Sequence, residues 1–230
     1  MLRTLSLDAG GVLVRPNWRT AAAVLAGHGV AVTAAALAAE ELAVMRELDT
    51  AESIRRTSDE DRTAVFLARV LARTGVAAPP DAARAVIAEL CRIHAAENLW
   101  DDLPEDVVPA LARFRALELK LVVLSNANGT VRSKLDRLGL TRWFAAVVDS
   151  GEEGVEKPDP RFFALALARV DADPATTLHV GDLFHVDVVG ARAAGLRAVL
   201  VDRGGLQGDR DCPRVRHLGE LADALERGLV

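Results

Sequence analysis

Cysteine is nearly absent from this 230-residue chain: Cys91 and Cys212 stand far apart, with no CxxC pair or Cys/His cluster beside either. That argues against a zinc site or a disulfide framework and makes a reducing, cytoplasmic setting the expectation. An excess of basic charge is missing too. With 28 basic against 33 acidic side chains and a net charge of −5, the chain lacks the broad field of a nonspecific nucleic-acid binder, and no nucleic-acid partner is expected. Specific binding of a small phosphorylated molecule needs no such field. A secretory signal is also lacking, because MLRTLSLDAGG carries too short an apolar run and ends in an acid and two glycines. The mature chain is expected to start at Met1. One stretch, Thr20 to Ala39, has no Asp, Glu, Lys or Arg over a length that could cross a bilayer. It is mostly alanine, however, and Gly27, His28 and Gly29 interrupt it where a turn belongs. It reads as two helices, one ending near Gly27 and one capped by Thr33 and running into Glu40 and Glu41. No membrane partner is expected.

What is present falls into two textures, in a chain long enough for a sizeable core and a smaller second domain. From about Arg15 to Trp100 the sequence is alanine-rich and helical in pattern, and Asp59 to Arg73 and Asp81 to Glu97 space apolar residues by three and four. The remainder alternates short aliphatic runs with helical patterns. Strands are expected at Leu2 to Leu7, Leu119 to Leu124, Ala145 to Val148, Leu178 to Val180 and Ala198 to Val201. Helices are expected near Val107 to Leu117, Val131 to Leu138, Arg161 to Val170 and Val186 to Ala194. Nearly continuous aliphatic strands separated by helices indicate an α/β fold, doubly wound around a mainly parallel sheet. The expected division is 1–14 and 101–230 for this core and 15–100 for an all-helical insertion after the first strand.

In an open parallel sheet the ligand crevice lies beyond the carboxyl ends of the strands. The residues there are Asp8 with Gly10 and Gly11, Ser125 with Asn126, Lys157 one loop beyond the third strand, and Asp182 followed by Asp187. Each has a bland reading beside a functional one. Asp8 can end a strand in a tight turn, or it can be a carboxylate placed to attack phosphorus. Asp182 and Asp187, in GDLFHVD, can be a turn residue and a helix cap. They can equally be an acid pair whose mutual repulsion calls for a cation, and Mg²⁺ prefers such oxygen ligands. Ser125 can be an N-cap, or with the backbone N–H groups of a helix start it can form an anion site. Lys157, one of three lysines beside Lys120 and Lys134, can lie in solvent, or the flanking Pro158 and Pro160 can aim it at a phosphate.

Taken in order, LSLDAGGVL, VVLSNANG, EKPDPRFF and HVGDLFHVDVVGARAAGL resemble the four motifs of the haloacid dehalogenase-like (HAD) hydrolase superfamily. The resemblance covers essentially the full chain, and the helical insertion resembles that superfamily's C1-type cap. It implies a Rossmann-like core and a phosphatase-type hydrolase acting on a small phosphorylated metabolite. Asp8 would be the nucleophile that forms an aspartyl-phosphate, and Ser125, Asn126 and Lys157 would hold the phosphoryl group. Mg²⁺ would be bound by Asp8, the carbonyl of Gly10 and Asp182, with Asp187 coordinating directly or from the outer shell. The cap would close over the substrate, and Arg15, Asn17, Trp18 and Arg19 are candidate cap-side contacts, although a solvated helix start explains them equally well.

The resemblance breaks at Gly10. Phosphatases of the superfamily usually carry there a second Asp, which protonates the leaving group and then activates water. Losing a positioned acid/base costs on the order of 10²- to 10⁴-fold in rate. Three consequences stay open: a cap histidine such as His28 or His94 supplies the proton, the substrate has a good leaving group, or the protein is a phospho-ligand-binding or regulatory module with little turnover. Phosphonate-type Schiff-base chemistry is not expected, since residues 15–100 contain no lysine. A 2-haloacid dehalogenase activity is a minor alternative, against which the GD-x4-D acid pair speaks.

Overall fold

The computed structural model describes residues 1–229. The chain opens with β1 (Thr4–Leu7) and, after a turn through Gly10 and Gly11, a two-residue strand β2 (Arg15–Pro16). Five helices follow: α1 (Trp18–Gly27), α2 (Ala34–Leu48), α3 (Ala51–Arg56), α4 (Asp59–Arg73) and α5 (Pro80–Glu97). β3 (Trp100–Asp102) then returns antiparallel to β2, so the chain leaves and re-enters through one short ribbon. The rest is α6 (Val107–Ala116), β4 (Lys120–Ser125), α7 (Val131–Arg137), β5 (Ala146–Asp149), α8 (Ser150–Glu153), α9 (Pro160–Arg169), β6 (Thr177–Gly181), a π-helical turn at Phe184–Val188, α10 (Val189–Ala193), β7 (Arg197–Val201), β8 (Arg214–Val215) and α11 (Leu218–Glu226).

Six strands form one parallel sheet in the order β5-β4-β1-β6-β7-β8. Side-chain alternation sets its two faces. Leu121 and Val123 of β4 pack with Leu111 and Phe114 of α6 and Leu221 of α11, while Val122 and Leu124 pack with Phe162, Phe163 and Leu167 of α9. Both faces are covered, as a parallel sheet requires. A third apolar cluster belongs to the helical block and joins Trp18, Leu25, Leu37, Val44, Phe66, Val70, Val86 and Leu90.

Local chemistry explains the helical block. The uncharged stretch divides as its glycines suggest: Gly29 takes φ +75°, a conformation that side chains disfavour, and Thr33 then caps α2 by accepting from the Ala36 N–H at 3.1 Å. Ser58 and Asp61 form a reciprocal capping box that starts α4. Among the described residues no helix is long and apolar enough to cross a membrane. One expected helix is altered. The segment from Val186 to Ala194 begins earlier, as the π-turn, because the Asp187 carboxylate folds back to accept from the Leu183 N–H at 2.9 Å.

Candidate active site

β1 lies between β4 and β6, so the residue after it emerges at the centre of the carboxyl edge. That residue is Asp8, whose N–H donates to the Val180 carbonyl at 2.9 Å. Its carboxylate accepts from the Ala9 N–H at 2.7 Å and meets the Lys157 ammonium at 3.0 Å. Lys157 is wholly buried, and its Nζ also donates to Asp187 at 2.7 Å. Burial by itself would depress this ammonium, but the carboxylates of Asp187 and Asp8 outweigh it and raise the pKa. The Lys157 loop is held from below. Asn126 accepts from the Lys157 N–H at 2.7 Å and donates to its carbonyl at 2.9 Å, which commits both ends of the Asn126 amide to positioning the lysine.

Asp187 is fully buried and engaged on both oxygens. One accepts from Lys157 and faces His179 Nε2 at 3.2 Å, and the other accepts from the Leu183 N–H. Burial would raise this acid, yet Lys157 and His179 hold it below the usual carboxylate range. Asp182 is different. Its Oδ2 is buried with no hydrogen-bond partner, and burial together with the negative charges of Asp187 and Asp8 pushes it well above the ordinary range. Asp8 is also raised, by burial above all, with Lys157 pulling it back. Oxygens of Asp8, Asp182 and Asp187 all lie within 4.8 Å of one another. Two glycines make room for this crowding: a Cβ on Gly11 would fall 1.8 Å from Asp182 Oδ2, and one on Gly181 would fall 2.1 Å from Asp187 Cγ. Three buried acids, one with an orphaned oxygen, form an oxygen donor set suited to a hard divalent cation, while the Lys157 ammonium offsets part of their charge.

The structure thus gathers Asp8, Ser125, Asn126, Lys157, Asp182 and Asp187 at one sheet edge, with Gly10 in the same cavity. Several expectations need correction. Ser125 ends β4, but no helix starts there: α7 begins at Val131, and the Gly129 and Val131 N–H groups donate to the Asp149 carboxylate at 3.0 and 3.1 Å. The helix-start anion site expected beside Ser125 is therefore filled by the chain's own acid. Arg15, Asn17, Trp18 and Arg19 do not line the cavity. Asn17 caps α1 and donates to Asp101 at 2.8 Å, and the Trp18 indole donates to Glu41 at 2.6 Å. His28 pairs with Glu89 at 2.6 Å away from the cavity. His94 does line it, but burial lowers its pKa to about 4 and its Nδ1 accepts from the Leu99 N–H at 3.2 Å.

Sequence reasoning missed four residues. His179, buried within the aliphatic run of β6, bridges Asp187 and the Ser6 hydroxyl, at 3.0 Å from the latter. Trp100 lies beside Gly10, with its indole 3.4 to 3.6 Å from where a Gly10 Cβ would stand. Asp49, at the end of α2, accepts from the Phe184 and His185 N–H groups at 2.7 and 2.9 Å and so ties the helical block to the turn after Asp182. Asp59 reaches the cavity from the start of α4. His179 could have been noticed as a polar residue inside HVGD; the other three carry no local signal.

A doubly wound parallel sheet with three buried acids at its carboxyl edge defines a Rossmann-like α/β core whose site lies at the strand-end crevice. Residues 2–195 match the haloacid dehalogenase-like hydrolase family, and the chain belongs to it. It is similar to a phosphoserine phosphatase of Thermus thermophilus, 41% identical over 49% of this chain and 46% of that protein. The chain spans about half the length of the curated relatives it matches. Among solved structures it resembles the HAD hydrolase YfnB of Bacillus subtilis bound to magnesium, over 97% of this chain and 98% of that one, at TM-score 0.72 and 18% identity. It also resembles a 2-haloacid dehalogenase of Pseudomonas syringae, over 99% of each chain at TM-score 0.59 and 26% identity.

Proposed function

We propose that the protein is a Mg²⁺-dependent phosphohydrolase that removes the phosphoryl group of a small organic phosphate through an aspartyl-phosphate on Asp8. The observation that carries this reading is the pairing of a wholly buried Lys157, which touches both Asp8 and Asp187, with an Asp182 oxygen that has no protein partner. Asp8, Asp182 and the Gly10 carbonyl would hold Mg²⁺, which when bound supplies neutralisation of phosphoryl charge. Asp187, spent on Lys157, His179 and the Leu183 N–H, would act from the outer shell. Lys157 offsets the charge that gathers as Asp8 approaches phosphorus, and Ser125 offers its hydroxyl to a phosphoryl oxygen. Asn126 acts through the lysine it holds. Beyond these groups the cavity walls combine apolar side chains, among them Leu48, Ile54, Phe66 and Trp100, with the polar Asp59, Arg62, His94 and Lys134. They suit a small organic leaving group, and the similarity to a phosphoserine phosphatase supports a phosphate ester as substrate.

The acid cluster also separates this reading from dehalogenation, for which a cation-binding set has no use. With p-nitrophenyl phosphate and Mg²⁺, the protein is expected to release nitrophenolate and Asp8→Asn is expected to abolish that release; equal rates would exclude the mechanism. Gly10 favours a second reading, a phospho-ligand-binding module that keeps the pocket without turnover. A screen of phosphorylated metabolites separates the two, because a single rapidly hydrolysed compound removes the binding-only reading.

A further inference from the structure

We propose that Asp59, carried by the helical block, is the proton donor and acceptor that Gly10 does not provide. The inference rests on phosphoryl transfer to Asp8 and adds to it the group that serves the leaving oxygen.

Every other titratable group around the cavity is committed elsewhere. Asp8 and Asp187 are held by Lys157, and the two oxygens of Asp49 each take a backbone N–H of the Phe184 turn. Asp182 belongs to the cation-binding cluster. The Lys134 ammonium is paired with Asp101 at 3.1 Å, and Arg62 is a guanidinium that does not release its proton. His94 is neutral near pH 7, with one ring nitrogen already accepting a hydrogen bond. Among the described residues Asp59 is the cavity carboxyl that has capacity to spare outside the cation-binding cluster. Its side chain is 33% exposed and lines the same cavity as Asp8, Gly10 and Ser125; among the described residues its carboxylate has no polar partner outside its own helix turn, and within that turn Arg62 stands at a long 3.4 Å. No hydrogen bond or ion pair joins it to Asp8, Asp182 or Asp187.

The surroundings suit the task. The capping box of Ser58 and Asp61 fixes the backbone that presents Asp59, and Arg62 is braced against the Thr57 carbonyl at 2.6 Å while reaching Glu156 of the core at 3.6 Å. The charged and titratable groups around Asp59 are Glu60 and Arg62 on its own helix, Glu156, Asp8 and Lys157 from the core, and Cys91 and His94 from α5. Desolvation of the part that faces the cavity above all, with Glu156 and Asp8 adding to it against the pull of Arg62 and Lys157, pushes the Asp59 carboxyl up to about 6. A carboxyl near that value can both give and take a proton at neutral pH.

The step balances. An Asp8 oxygen bonds to phosphorus while the bond from phosphorus to the leaving oxygen breaks, and the Asp59 proton passes to that oxygen to give an alcohol. Water then attacks the aspartyl-phosphate and gives its proton to the Asp59 carboxylate. The bond from phosphorus to Asp8 breaks, inorganic phosphate departs, and both acids return to their starting states.

The test compares kcat/KM for benzyl phosphate, whose alkoxide must be protonated, with that for p-nitrophenyl phosphate, whose nitrophenolate leaves without a proton. Asp59→Asn is expected to lower kcat/KM for benzyl phosphate on the order of 10²- to 10⁴-fold and for p-nitrophenyl phosphate by less than about tenfold. Asp59→Glu is expected to restore part of the difference. In the unsubstituted protein, kcat/KM for benzyl phosphate should fall as pH rises through the Asp59 transition, and Asp59→Asn should lose that limb. Equal losses on the two substrates, no loss on benzyl phosphate, or a natural protein that hydrolyses only p-nitrophenyl phosphate would overturn the assignment. Asp8→Asn separates the two levels: if it abolishes both activities while Asp59→Asn behaves as the natural protein, only the role of Asp59 fails, whereas full activity in Asp8→Asn ends the phosphohydrolase reading itself.

Discussion

Lys157 is the residue on which the charge balance of the site turns. Its side chain is wholly buried, with two carboxylates within 3.0 Å of the ammonium. Replacing it with methionine, similar in length but neutral, would leave Asp8 and Asp187 buried without compensation, a defect of about 3 to 5 kcal/mol when one partner of a buried pair is removed. Urea unfolding of Lys157→Met should show a loss of that size together with loss of phosphatase activity. Gly11 makes the complementary point through space rather than charge. Its φ of +70° disfavours a side chain, and a Cβ would stand on the Asp182 carboxylate. Gly11→Ala should displace that acid and weaken Mg²⁺ activation at least as strongly as it lowers stability, measured by Mg²⁺ titration of activity and by thermal unfolding. At Gly10 the neighbour is the Trp100 indole, so an introduced aspartate would have to share its space, and Gly10→Asp is a less direct probe than Asp59→Asn.

At the scale of elements, the helical block is fastened to the core by the end of α2. Asp49 satisfies two N–H groups at the start of the π-turn, the Arg210 guanidinium donates to the Asp49 carbonyl at 2.9 Å, and the same guanidinium stacks 4.8 Å over Phe184. Asp49→Ala leaves two backbone donors without partners, each costing about 1 to 3 kcal/mol where water cannot replace the acid. Hydrogen exchange should show the amides of Phe184 and His185 losing protection before those of β1 or β6. Most elements were legible because their patterns are local. Leu121 to Leu124 are apolar on both faces, as a central parallel strand demands, and Gly27 to Gly29 divide α1 from α2 as their backbone freedom suggests. β2, β3 and β8 are too short, at two or three residues, to carry a periodicity, and they exist through pairing with distant partners. α7 begins at Val131, as its local pattern suggests, but the turn between Ser125 and that helix was not legible, because Asp149, on the neighbouring strand, takes the Gly129 and Val131 N–H groups.

For the whole molecule, the acid cluster makes stability depend on pH and cation together. Asp182 and Asp8 are raised in the folded chain, so at neutral pH they oppose folding, and that penalty is relieved as pH falls through their folded pKa values toward the unfolded ones. Asp187 is lowered, so its contribution is present above the ordinary carboxylate range and is lost only as pH falls through its depressed value. Mg²⁺ should therefore raise the unfolding temperature at pH 7.5 and much less near pH 4.5, and chelation should reverse the gain; Asp182→Asn should lose most of it. By itself the amino-acid sequence determined the parallel α/β core, the helical insertion, and the groups that end each central strand, because strand burial and strand-end turns are written in adjacent residues. Only the tertiary structure decided what faces those groups across the cavity: Trp100 beside Gly10, Asp49 on the turn after Asp182, and Asp59 over the nucleophile's chamber. Their positions follow from how the helices of one apolar cluster settle on the edge of another, and that depends on contacts between residues far apart in the chain.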